Sequence, residues 1–345
     1  MALGISYFFF KISQNELYNL NSKTEFVLGS TFKISIYGKN SDRLIQESIE
    51  IVNEIDNKMS LNNPESEINK INNNAGIEFS KVSDDTLYVV SKAVEYGYIS
   101  KGHFDISIAP LVNLWGITSD SPQVPSESEI NQALSLINYK DIEFEDNEIK
   151  LKREKMGIDL GGIAKGFAAD KVYNHLKEKG VKSAMIDVGG NISLLGTRPD
   201  GSEYTIGIQN PFESRGNHFA TVKIADKTIV TSGKYERFFT YENKDYHHIL
   251  SPFDGYPIEN NIESVTIISE NSLEADALST TVLLLGAEKG LELINSLKDS
   301  ECIIVDSNKN VFLSNSLKNF ELKNNDFNLK TKGAVGKRRF LNDEP

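Results

Sequence analysis

Two stretches of this sequence combine residue types and spacings suited to work on a phosphate. The first is Asp159-Leu160-Gly161-Gly162-Ile163-Ala164-Lys165-Gly166. Glycines lack a Cβ and let another group approach the main chain closely. A lysine among bare N–H groups at a helix start suits an anion such as phosphate. The same letters also describe a tight strand-to-helix turn with a surface lysine. The second stretch is Asn271 to Thr280. Asn271 with Glu274 three residues later marks a helix start. Asp276 and Thr280, one helical turn apart, then present a carboxylate and a hydroxyl to one point, a pair of hard oxygens that suits Mg²⁺. Ser279 lies beside them. An acid in this place is also favoured by the helix dipole alone. His247 and His248 stand side by side in an apparent strand, so they face opposite ways. A neutral imidazole near a metal-bound phosphate can take a hydroxyl proton, although a lone strand histidine is equally at home as a structural group. His103 and Asp105, flanking Phe104, are further polar points for a pocket wall.

The elements that must position these residues follow from periodicity. A strand is predicted within Phe26–Gly38 and an amphipathic helix over Asp42–Met59, where Ile45, Ile49, Val52 and Ile55 recur at three and four. A short helix capped by Glu65 or Ser66 is expected after the Pro64 turn, a helix over 84–100 and a short one over 127–137, with a hairpin at 142–152 turning on Asp146-Asn147. The glycine stretch reads as strand, loop and helix ending at Gly180. Strands are predicted at 184–188, 204–209, 219–224, 228–231, 264–268 and 302–305, and helices at 274–285 and 288–297. No repeat or sharp linker divides the chain. The reading is an irregular leader over 1–23, one domain with two lobes over 24–320, and a polar tail over 321–345.

Composition narrows the function classes. The chain has 345 residues, 39% hydrophobic and 25% charged, with a formal net charge of -12. It is long enough for one large core or two modest ones. The basic footprint of a nucleic-acid binder is absent. An acidic protein that holds a polyanion needs local help from main-chain amides or a metal cation. The single cysteine, Cys302, lies in the apolar run Cys302-Ile303-Ile304-Val305 and reads as a small buried hydrophobe. No stretch has the length of a transmembrane helix, and the apolar start lacks a basic flank and a cleavage site.

A dinucleotide-binding reading has strand, glycine loop and helix in order, with Asp187 about 20 residues downstream where a ribose-binding acid would sit. The spacing Gly161-Gly162-x-x-x-Gly166 does not give G-x-G-x-x-G, however, and no Gly-Lys-Ser/Thr occurs to make a P-loop. Taken together in order, Leu28-Gly29-Ser30, Met59-Ser60 with Ser66-Glu67, Gly102–Gly116, Asp159–Gly166, Asp187–Asn191, Thr231-Ser232-Gly233, His248–Pro252 and Ala275–Thr280 resemble the ApbE family, the FAD:protein FMN transferases, over about Phe26 to Leu313.

That resemblance implies an α+β fold, T-fold-related and two-lobed, with mainly antiparallel sheets flanked by helices. It implies FAD as substrate, Mg²⁺ as cofactor, and transfer of FMN onto a Thr or Ser hydroxyl of an acceptor protein with release of AMP. Asp276 and Thr280, with Ser279 beside them and a main-chain carbonyl such as that of Gly162, match the metal site. Leu28, His103, Phe104, Asp105, Asp159, Lys165, Ser232, Gly233 and the backbone near Leu250 match positions lining FAD, and His248 matches a histidine proposed to assist proton transfer. Asn62 stands where many relatives carry a tyrosine that stacks on the flavin, which resembles members that also hydrolyse FAD. Leu28 replaces a methionine, a near-isosteric change. Ser251 replaces an aspartate. The acceptor would carry a Ser/Thr-Gly-Ala-Thr-like motif, no copy of which occurs here. The resemblance implies a cell-envelope location if a signal segment has been removed, and a cytoplasmic one otherwise. The competing reading is a flavin-binding or flavin-buffering protein without turnover.

Overall fold

The computed structural model describes residues 19–39 and 41–330. Positions 1–18 of the predicted leader and 331–345 of the predicted tail lie outside the described residues. The chain opens on a hairpin, β1 (Leu20–Val27) and β2 (Ser30–Tyr37). This corrects the leader boundary at 23: β1 begins at Leu20. Its polar run Asn21-Ser22-Lys23-Thr24-Glu25 hid it, because it is an edge strand whose outward side chains meet water.

Helix α1 (Ser41–Met59) follows, then α2 (Glu67–Asn73), β3 (Ser80–Lys81), α3 (Asp84–Ile99), α4 (Ala109–Trp115), α5 (Glu127–Leu134), β4 (Ile142–Glu145) and β5 (Glu148–Leu151). Next come α6 (Ala164–Glu178), β6 (Ser183–Val188), β7 (Asn191–Gly196), β8 (Tyr204–Gln209), β9 (His218–Ile224), β10 (Thr228–Gly233), β11 (Phe238–Tyr241) and β12 (Lys244–His247). The chain continues through β13 (Ile262–Ser269), α7 (Ser272–Leu285), α8 (Ala287–Ser296), β14 (Ser300–Asp306), β15 (Asn310–Leu313), β16 (Phe320–Leu322) and β17 (Asn328–Leu329). β17 and all but the first residue of β16 fall in the predicted polar tail, which therefore takes part in the sheets up to residue 329.

Nine strands form one sheet in the order β1-β2-β6-β7-β10-β13-β14-β15-β17. Its neighbours are antiparallel except the pair β15 and β17. Helices pack on one face and the small sheet β16-β9-β8 on the other. Side-chain alternation shows both coverings: Val265, Ile267, Cys302 and Ile304 join the helix-side core, while Ile268, Ile303 and Val305 join Phe219 and Val222 on the opposite side. A strand buried on both faces reads as a continuous apolar run, which is why Cys302–Val305 shows no alternation. The architecture is α+β with mainly antiparallel sheets.

Two tight turns set one end of this sheet. Leu28-Gly29 joins β1 to β2 with φ of 53° and 61°, and Gly189-Gly190 joins β6 to β7 with φ of 61° and 95°. Left-handed conformation at both central residues matches the twist of a two-residue hairpin. The tips are neighbours, because the Gly189 N–H donates to Thr31 O at 2.8 Å. Asp187 braces its own turn by accepting the Gly190 N–H at 2.8 Å. That use, in an antiparallel sheet, removes the dinucleotide-binding reading. β10 pairs Val230 with Asn191, so Ser232 and Gly233 run out past the same end.

Candidate functional site

The glycine stretch and the acid-bearing helix meet at this end of the sheet. The segment before the glycines is not the sheet strand predicted. Gly157 forms a single parallel bridge with Ile108, and the Asp159 N–H donates to Ile106 O at 2.8 Å. Asn72 on α2 anchors it by giving and taking one bond each with the Ile158 main chain, at 3.1 and 2.7 Å. Gly161-Gly162-Ile163 then turns into α6, which starts without a side-chain cap. Helices α2, α3, α5 and α7 are capped by Ser66, Ser83, Ser126 and Asn271.

α6 and α7 are fitted to one another through residues spaced by four. Gly162, Gly166 and Asp170 lie on one side, and Ser272, Asp276 and Thr280 on the other. A Cβ on Gly166 would overlap the Ser272 carbonyl, so only glycine allows this approach. Asp170 accepts the N–H groups of Ser272 and Leu273, each at 2.8 Å, at the open start of α7. Burial, with Glu274 and Asp276 as nearby negative charges, lifts the Asp170 carboxyl to about 6 against those two donors.

Asp276 is 2% exposed and faces α6. Its Oδ2 accepts the Gly166 N–H at 3.0 Å and lies 3.5 Å from Lys165 Nζ. This bond takes the N–H that would otherwise close the first helical turn onto Gly162. Neither Gly162 O nor Asp276 Oδ1 accepts a hydrogen bond among the described residues. A Cβ on Gly162 would stand 3.1 Å from the Phe104 ring and 3.6 Å from Thr280 Oγ1. Lys165 Nζ donates to Gly161 O at 2.8 Å. The fully buried Ser279 shares a 2.7 Å bond with Ser232 Oγ and donates to Asp276 O at 2.8 Å, so it stands behind Thr280, which Ser232 also reaches at 3.5 Å. Gly233 completes the strand end: a Cβ there would overlap the Tyr235 ring.

Two oxygens without donors, a half-buried hydroxyl and a lysine therefore converge on one corner. The donor set fits a Mg²⁺ ion that keeps several of its own ligands from water or substrate. Among the described residues no group of three or more His, Cys, Asp or Glu side chains is placed to hold a metal ion.

The adjacent histidines divide as strand geometry requires. His247 has both ring nitrogens engaged, with Ile258 O at 3.1 Å and the Ile249 N–H at 3.3 Å. His248 places Nδ1 3.1 Å from Arg237 O. A carbonyl only accepts, so Nδ1 carries the proton and Nε2 presents a lone pair. Burial depresses both rings to about 4, helped at His248 by the charges of Arg237 and Lys165. Those two cations also oppose the rise that burial imposes on Asp159, whose Oδ1 accepts the Gly161 N–H at 2.8 Å. The Arg237 side chain donates to Gly29 O at 3.0 Å, tying the Leu28 turn to this group.

Three further predicted residues have these settings. Asp105 is 8% exposed, and its oxygens accept from Ser107 N–H and O–H at 2.8 and 2.6 Å and from Tyr139 N–H at 3.0 Å. It shapes the loop carrying His103 and Phe104 through these three bonds. The Leu250 side chain is buried with Leu111 and Trp115, leaving only its main chain for a ligand. Asn62 stands exposed in the turn after α1, which Asn69 pins through Leu61 O and Asn63 O, and it makes no hydrogen bond with another candidate. Sequence reasoning missed Arg237, Asp170 and the packing use of Gly166. The last two were available as the four-residue spacing Gly162, Gly166, Asp170, set against Ser272, Asp276, Thr280. Ser251, the departure of unknown effect, is explained: its Oγ accepts the N–H groups of Phe253 and Asp254 at 3.3 and 3.4 Å, as an aspartate would.

Comparison with known proteins bears on the fold and the family. The model of the ApbE family matches residues 28–304. An FAD:protein FMN transferase of Klebsiella pneumoniae is 32% identical over 305 residues, spanning 88% of this chain and 93% of that one. One of Vibrio cholerae is 29% identical, spanning 85% and 90%. Among solved structures, the flavin transferase ApbE from Vibrio cholerae superposes with a TM-score of 0.76 at 28% identity, over 84% of this chain and 94% of that one. The ApbE protein from Thermotoga maritima does so with a TM-score of 0.78 at 28% identity and the same coverage.

Proposed function

The chain belongs to the ApbE family, and from that membership we propose that it transfers FMN from FAD to a Thr or Ser hydroxyl of an acceptor protein, releasing AMP, in a Mg²⁺-dependent reaction. The observation that carries this reading is the corner where Asp276 takes the Gly166 N–H and leaves Gly162 O and its own Oδ1 without donors. Asp276, Thr280 and the Gly162 carbonyl would hold the metal. Bound there, it would supply positive charge to the diphosphate oxygens. Ser279 and Ser232 support Thr280 from behind.

Lys165 and the uncapped start of α6 add positive potential for the diphosphate as charge develops on the departing AMP. The acceptor hydroxyl forms the new bond to the FMN-side phosphorus, the bond from that phosphorus to the AMP oxygen breaks, and the hydroxyl proton goes to His248 Nε2. Because Arg237 O holds Nδ1–H, the imidazole meets the hydroxyl in the tautomer able to accept. Asn62 offers no aromatic cover for the flavin, so water can replace the acceptor hydroxyl and some FAD pyrophosphatase activity accompanies transfer. The family resemblance favours work in the cell envelope, which fractionation of the native host distinguishes from a cytoplasmic location.

The test is mass spectrometry of an acceptor peptide bearing a Ser/Thr-Gly-Ala-Thr-like motif, incubated with the protein, FAD and Mg²⁺. The expected result is an FMN adduct and equal AMP, both lost with EDTA. FAD binding with neither product returns the flavin-buffering reading. Lack of AMP release without acceptor removes the pyrophosphatase part alone.

A further inference from the structure

Beside the phosphate corner lies an exposed ring that the transfer chemistry does not use. Phe253 is 60% exposed. Its ring meets His103 edge-on, with centroids 4.8 Å apart and planes at 66°. The turn beneath it is closely held. Ser251 accepts from both following N–H groups as described, the Gly255 N–H donates to Ser251 O at 2.9 Å, and Trp115 Nε1 donates to Gly255 O at 2.8 Å. His103 is fixed through Nδ1 to Ser100 O at 2.8 Å. Phe104, the next residue, lies against Gly162. Contacts thus run from the corner through the His103-Phe104 pair to Phe253, and bare Gly102 lies alongside, where a Cβ would come 3.9 Å from the Phe253 ring.

We propose that Phe253, steadied by His103, is a stacking platform for one of the two planar ring systems of FAD. The inference rests on the FAD reading above. A corner built for a diphosphate holds only the middle of that molecule, and each end is a flat heteroaromatic ring whose π-face needs a partner. Asn62 has no ring to give. Phe253 presents one, on a rigid turn, at the edge of the site. Ring stacking favours an aromatic over an aliphatic side chain of similar size, which makes the idea separable from general stickiness.

The experiment is titration of FAD, FMN and ADP, each with Mg²⁺, into the wild-type protein and the Phe253→Ala, Phe253→Leu and Phe253→Tyr variants, followed by calorimetry and flavin fluorescence. Melting curves confirm that each variant is folded. The expected result is FAD affinity about tenfold weaker for Ala and Leu, and within about twofold of wild type for Tyr. A loss shared by FMN places the flavin ring on Phe253, and one shared by ADP places the adenine there. Unchanged FAD affinity in Phe253→Ala, or leucine equal to phenylalanine, overturns the proposal. So does a raised KM for acceptor with unchanged FAD affinity, which would make this face a protein dock. Wild-type protein that binds no FAD sinks the flavin reading itself, whatever the variants do.

Discussion

The corner between α6 and α7 and the rim formed by β11, β12 and the 251–256 turn are built by opposite means. In the corner, two helices touch through glycine, and polar atoms that matter are buried and bonded to main chain. On the rim, β11 and β12 pair only with each other, and Phe238, Tyr241, Phe253 and Tyr256 are exposed. Parts that must hold a small charged group in place are built from packing that tolerates no added atom. Parts that must meet larger, variable partners are built from side chains on turns and short strands.

Four changes would break or sharpen this contrast. Asp276→Ala removes the corner's carboxylate and lets the Gly166 N–H return to Gly162 O. Transfer should fall by about 100-fold or more, with Mn²⁺ binding followed by paramagnetic resonance lost in parallel. Retained metal binding would mean that the corner is not the metal site. Gly166→Ala forces a methyl against the Ser272 carbonyl. It should cost about 1–3 kcal/mol in denaturant unfolding and weaken metal binding although no ligand is altered.

Acid should act on the two regions with opposite sign. His247 and His248 titrate near 4 in the folded chain and near 6.5 when unfolded, so the unfolded state takes protons first and rim stability falls as pH drops from 6.5 toward 4. Asp170 titrates near 6 folded against 3.8, so the folded state takes protons first and the corner gains stability as pH drops from 6 toward 3.8. Melting temperature against pH should therefore flatten in His247→Gln and steepen in Asp170→Asn. Equal slopes in both variants would remove the contrast. The smallest effect is expected at Ser251. Ser251→Ala leaves two N–H groups without their acceptor and should cost about 1 kcal/mol, while Ser251→Asp should restore stability to near wild type in the same denaturation assay.

The same contrast decides what the sequence could reveal. The helices were legible because burial on one face imposes period, as with Ile45, Ile49, Val52 and Ile55. Asp276, Thr280 and the glycines were legible because helix geometry fixes which residues meet at a spacing of four. β1 was not, because a solvent-facing edge strand carries little apolar pattern. The bonds that hold Asp105 were hidden because Tyr139, one of its donors, lies far along the chain. Arg237 stayed hidden because its partners, Gly29 O and the His248 ring, come from distant segments whose meeting depends on the sheet order.

Leu28 sits at φ 53° in its hairpin turn, where glycine would be relaxed and an ordinary side chain costs roughly 1–2 kcal/mol. Where the only demand is an unstrained turn, Leu28→Gly relaxes the hairpin. The leucine side chain packs against the helix-side core, a contact that glycine would give up.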